Sequence, residues 1–221
     1  LFLTKLPLRR RLLFVGNREL WEPAGFLYRS PESLTELIRG VLSLGYPLQI
    51  QRLAFESRER TELEQLMRGR GIVISQEEAP SLFVSLSPNW EAFERAITGS
   101  RRERIRRARK RAADFGQVHF ETVAASEENF EQLYSTFASI ECLSWKGQLG
   151  TALLKDRRYF DFFYEFAMNM LTRAPILFSF LRLDEKNAAA QLSVVFSGKL
   201  WILKIGYDET YSVCSPGLLL M

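Results

Sequence analysis

Two cysteines and a single histidine in 221 residues remove several classes of chemistry at once. Cys142 and Cys214 are too few for a disulfide framework and lack the spacing of a zinc site, so a reducing, cytoplasmic setting without a bound metal is expected. His119 lies inside "QVHFETV" with no Ser/Asp or Cys partner pattern around it, which reads as a strand side chain and excludes a histidine-dependent triad. The glycines form neither GxGxxG nor GxxxxGK[ST], so dinucleotide and P-loop sites have no support. No apolar run approaches the ~18 residues of a membrane helix. The opening "LFLTKLPLRRRLLFVGNREL" has no apolar core followed by a small-residue cleavage site, so no signal peptide is read. The chain begins without Met and stops just as an apolar run opens after Pro-Gly, and it is expected to be a fragment of a longer protein.

What is present is a core-forming composition, 47% apolar and 13% aromatic, and a concentrated positive charge. Eight of the eleven residues from Arg101 to Arg111 are basic and Glu103 is the only acid among them; this segment's +7 against the chain's +4 leaves −3 for everything else. Within it Ile105, Ala108, Ala112 and Phe115 recur at helical spacing, so the stretch is an amphipathic helix with an apolar seam. Its cationic side has three readings: a solvated face, a steering surface for an anionic substrate, or a nucleic-acid contact.

Apolar periodicity and punctuation predict the order of elements. An N-terminal α/β lobe (1–86) should hold a strand at 12–15, a helix from Pro31 capped by Ser30 and ended by Gly45, a strand at 47–53, a short helix from Thr61 to Arg68 and strands at 71–75 and 81–86. A helical connector (87–116) follows, with a helix capped at Ser87 and closed by Gly99, then the Arg-rich helix. Residues 117–221 read β-α-α-β-β-β: a strand at 117–123, a helix capped by Ser126, a helix at about 156–172 that is apolar almost all round and so largely buried, and strands at 176–183, 188–196 and 200–207. "SPGLLL" should open another helix.

That order, with "ECLSWKGQLGTAL" (141–153), "KLWILKIGYDETYSVCSPGLLL" (199–220) and the Arg-rich helix ahead of them, resembles GNAT-fold acyltransferases of the CelD-like kind, associated with cellulose and exopolysaccharide biosynthesis. It is similar also to the FemAB-type peptidyltransferases, with their two tandem lobes. The resemblance implies an α/β fold with a mixed sheet flanked by helices, in two tandem lobes of which the second is truncated. It implies acyl transfer, with acetyl-CoA as co-substrate and an amino sugar or polysaccharide precursor as acceptor. In such folds the pantetheine arm lies along the fourth strand, here near Leu203 and Ile205, and the pyrophosphate sits at the start of the next helix, here Ser215 and Gly217. Of the family's Q/R-x-x-G-x-G/A phosphate loop only Gly217 is present, so aminoacyl-tRNA, as in the FemAB branch, stays open as the donor.

Tyr207 and Asp208 leave the strand directly and are candidate catalytic groups, Asp208 as base or orienter, though "YDET" also reads as a polar turn. Glu141 could take a proton, while Trp145 and Lys146 could bind the acceptor, the indole by stacking on a sugar. The alternative for these three is a tryptophan filling a gap between helices beside a surface lysine. Cys214, next to the proposed donor loop, leaves thiol chemistry as a minor option.

Overall fold

The computed structural model describes residues 3–5, 11–14, 23–77 and 82–221. Residue contacts divide the chain into two compact units, Leu1–Ser85 and Leu86–Met221. In the first, β1 (Leu3–Lys5) pairs antiparallel with β2 (Leu12–Phe14), and β2 pairs parallel with the short β3 (Leu48–Gln49). Helix α1 (Pro31–Ser43) is capped as the sequence predicts: Ser30 accepts from the Ser33 amide and the Ser33 hydroxyl accepts from the Ser30 amide. Its Leu34, Ile38 and Val41 bury against Leu12, Phe14 and Phe26. Helix α2 (Arg58–Met67) follows the Ser57 cap, so it starts three residues before the expected Thr61.

The strands expected at 71–75 and 81–86 do not form among the described residues. Their β-branched and aromatic side chains stay exposed, Ile74 at 88% and Phe83 at 88%. Strand propensity is only a preference for a pleated, half-buried surface, and among the described residues, which leave out 81, no strand pairs with these segments.

The second unit holds the four-stranded antiparallel sheet β4 (Val118–Ala124), β5 (Ile176–Leu183), β6 (Lys186–Phe196) and β7 (Lys199–Tyr207), in that spatial order. Tight turns set the meander; Ser197 and Gly198 both have positive φ (51° and 71°), the hairpin geometry that matches strand twist. Helix α3 (Trp90–Ala96) is capped by Asn89, whose side chain accepts from the Ala92 amide, rather than by Ser87. Gly99 opens α4 (Gly99–Ala113) instead of closing α3, because Thr98 supplies the cap through the Arg101 amide. Helix α5 (Phe130–Cys142) likewise begins after Asn129, with Ser126 displaced into the preceding turn.

Two layers cover the sheet. On one face Phe130 and Phe137 of α5 meet Phe178 of β5, and the Tyr134 hydroxyl donates to the Phe160 carbonyl of α7 (Arg157–Met170) at 2.7 Å. On the other, Ala112 of α4 packs with Leu181, Leu183, Ala188, Ala189 and Cys214, together with Leu219 and Leu220 of α8 (Pro216–Leu220). The apolar seam of the Arg-rich helix is therefore a packing surface: Ala108 and Ala112 are buried and Phe115 meets Tyr211 edge-on. Helix α7 is less enclosed than its composition predicts, with Phe163 and Ala167 buried but Phe162 partly exposed, because only one side meets α5 and the sheet.

Candidate active site

The site grows from the margin of the sheet. Strand β7 has β6 on one side and no strand among the described residues on the other. Its register slips midway: Leu192 faces Lys204 but Ser193 faces Ile202, which leaves Leu203 as an extra, bulged residue. The Asp208 amide donates to Ala188 O at 2.9 Å. Antiparallel alternation then turns the peptide groups of Gly206 toward β6 and those of Ile205 and Tyr207 toward the open margin.

A buried charge cluster stands at that margin. Gly206 lets the end of α5 lie on the strand, since a Cβ there would come within 2.5 Å of Glu141 Cα. Glu141 is fully buried; its Oε2 accepts from the Leu153 amide at 2.8 Å and its Oε1 lies 3.3 Å from Lys146 Nζ. That contact is an ion pair without hydrogen-bond alignment, because the ammonium's short bond, 2.6 Å, goes to Ile205 O. The lysine is brought round by α6 (Trp145–Gln148), whose cap Ser144 accepts from the Lys146 amide and donates to Glu141 O. One of the three ammonium protons is thereby directed to Ile205 O, and a proton not so held can meet a substrate oxygen. Trp145, half exposed, has its amide tied to Glu209 Oε1 at 3.1 Å.

The other expected residues gather at the lower end of β7. Asp208 caps a 3-10 turn (Glu209–Cys214), with Oδ1 accepting from both the amide and the hydroxyl of Thr210; no partner holds Oδ2 among the described residues. The Tyr207 phenol is held above its ordinary range by burial first and then by Glu209. Its ring covers Gly217, where a Cβ would sit 3.4 Å from Tyr207 Cδ1. Ser215 precedes α8 in the left-handed conformation, φ 50° and ψ 59°, with its hydroxyl making no cap bond. Ile205, Tyr207 and Lys146 thus share one margin, with Leu203 at the bulge above them and Asp208 at the strand's end, while Glu141 is fully buried.

The family model described as an acetyltransferase (GNAT) domain matches residues 99–221, the stretch that holds this margin. The chain belongs to the GNAT acetyltransferase family. No curated protein and no solved structure matches it. As a GNAT domain it is an N-acyltransferase whose acyl group comes from acyl-CoA. The match begins at Gly99, so the Arg-rich helix is part of the GNAT domain.

Sequence reasoning passed over Lys204. Its ammonium lies 4.7 Å from the Phe163 ring centroid and 5.9 Å from that of Tyr159, and its pKa is pushed down by burial first, then by Lys146, with Glu141 opposing. The signal was a lysine inside the otherwise apolar "LWILKIGY", facing the helices that cover the sheet. The Cys214 thiol is buried, donates to Tyr211 O and has its pKa raised by burial, an environment that disfavours the thiolate. His119 sits on β4 opposite Arg182. Among the described residues no group of three or more His, Cys, Asp or Glu could hold a metal, and no helix is long and apolar enough to cross a membrane.

Proposed function

We propose that this GNAT domain transfers an acetyl group from acetyl-CoA to an amine, or less readily a hydroxyl, of an amino sugar or another cell-envelope polysaccharide precursor, in the cytoplasm. The observation that carries the reading is the free margin of β7, where a bulge at Leu203 and the outward peptide groups of Ile205 lie beside the Lys146 ammonium. An extended amide-bearing arm fits such a margin because it can continue the ladder that the sheet leaves unfilled. The N–H group of Ile205, with the Lys146 ammonium, supplies donors for the thioester oxygen as it gains charge.

In this reading the acceptor nitrogen attacks the thioester carbon and the carbon–sulfur bond breaks. The nitrogen's proton passes to Asp208 Oδ2, directly or through one water, and the leaving thiolate is protonated by the Tyr207 phenol, which its environment keeps neutral at pH 7. Trp145, exposed at the start of α6, offers an aromatic face to a sugar ring. Glu141 positions Lys146 and does not itself meet the substrate. The acceptor class rests on the resemblance to the CelD-like proteins, and the fold leaves it open.

The test is acceptor-dependent thiol release from acetyl-CoA, measured across a panel of amino sugars, amino acids and polyamines. Release that requires an amino sugar, with an N-acetylated product by mass spectrometry, supports the reading. Release with amino acids or polyamines alone would move the acceptor to another class.

A further inference from the structure

We propose that the Arg104–Arg107–Arg111 stripe of α4, together with Ser215, is the seat for the phosphates of the donor, in place of the glycine-rich loop that this chain lacks. The proposal rests on the acyl-CoA reading above and specifies the residues that hold the anionic end. These residues line one groove of about 450 Å³, which also takes in Glu103. Steps of three and four put the three guanidinium groups on one side of α4, and the packing of Ala108 and Ala112 turns that side toward the segment entering α8.

The cations of α4 are not equivalent. Arg102 is spent on the Glu94 and Ile97 carbonyls at the end of α3, and Arg109 lies over the Phe120 ring. Arg106 and Arg107 share Glu103, which is thereby neutralised within the helix. Arg111 reaches across to the Val213 carbonyl at 3.1 Å, which fixes its guanidinium against the loop before Ser215. Arg104 has no hydrogen bond or ion pair among the described residues, although it lines the groove. The groove therefore holds three cations and one acid already paired at its edge, with one guanidinium unused.

Continuity with the acyl site gives the groove its ligand. Tyr207, at the end of the free margin of β7, packs on Gly217, and Gly217 is two residues from Ser215 in the groove wall. A donor whose thioester lies at Ile205 and whose arm runs down the strand brings its diphosphate toward these arginines. Fork-shaped guanidinium groups suit phosphate oxygens better than a lysine would.

The experiment compares CoA, dephospho-CoA and pantetheine on the 221-residue chain by calorimetry, for wild type, Arg104→Glu and Arg107→Gln. Arg104→Glu leaves an exposed helix position with no partner to lose, and circular dichroism checks the fold. The expected result is that CoA binding weakens about tenfold or more in each variant, that pantetheine affinity is unchanged, and that the salt dependence of CoA binding becomes shallower. If wild type binds CoA and both variants bind it equally well, the arginine seat is wrong while the acyl-CoA reading stands. If wild type binds neither CoA nor pantetheine, both fail; tight binding of bulk tRNA in that case would assign the arginines to a nucleic acid.

Discussion

Glu141→Gln probes the buried ion pair that holds Lys146 at the strand margin. The amide keeps the size of the side chain and one acceptor for the Leu153 amide, but removes the charge that Lys146 Nζ meets at 3.3 Å. Breaking a buried pair by deleting one partner costs about 3–5 kcal/mol. The lower end applies to Glu141→Gln, because the lysine side chain retains 18% exposure and its bond to Ile205 O. Lys146→Met belongs at the upper end: it leaves a fully buried carboxylate with only the Leu153 amide. The double variant, which leaves no charge unpaired between these two positions, should lie within about 2 kcal/mol of wild type. Urea unfolding followed by tryptophan fluorescence reads the cycle; at a slope of about 2 kcal/mol/M, Glu141→Gln shifts the midpoint down by about 1.5 M. Single variants that each cost under about 1 kcal/mol and simply add would refute the account of a coupled pair.

Three further outcomes follow from particular contacts. Gly206→Ala must move α5 off β7, since the new Cβ would lie 2.5 Å from backbone Glu141 Cα, and should destabilise by about 1–3 kcal/mol while reducing activity; a neutral effect in thermal unfolding would show that the helix end is not seated there. Glu103, lowered from 4.5 to about 2 by hydrogen bonds from Arg106 and then Arg107, stabilises α4 above its ordinary pKa, and this is lost as pH falls through about 2. Carboxylate NMR checks this, and a midpoint near 4.5 would dissolve the pairing. Asp208→Asn keeps an oxygen for the Thr210 amide yet cannot take a proton, so unfolding should change little while kcat falls at least tenfold, by the usual worth of a general base. Equal losses of stability and activity would make Asp208 only a cap.

The second unit was largely legible because its signals are local. The apolar run "ILFSFLRL" and the turn read at Ser197-Gly198-Lys199 are each enough to define a strand or a hairpin, and the observed meander follows them closely, the turn itself being Ser197-Gly198. Helix starts moved by one to four residues wherever two cap residues compete, as at Ser126 and Asn129, since the winner is decided by how the chain meets the sheet. Residues 71–75 failed for the opposite reason: a strand exists only with a partner, and a partner is a long-range fact. The candidate site divides the same way. Residues adjacent along β7, Leu203 to Asp208, could be grouped by reading the chain, whereas the meeting of Lys146, Glu141 and Lys204 depends on a bare Gly206 letting α5 approach. The seam of α4 was visible as a period, but its destination, the wall beside Ser215, was not.

The central claim is that the free margin of β7 is where an acyl group passes from a thioester to an amine. Its most direct measurement is single-turnover mixing of the chain with acetyl-CoA and an amino-sugar acceptor, following thiol and acetylated product together. The account predicts one thiol released per amide formed, with the rate falling at least tenfold in the Glu141→Gln/Lys146→Met double variant, which keeps the fold without the ammonium. Thiol release indifferent to the acceptor, or product formed at the same rate by the double variant, would contradict it.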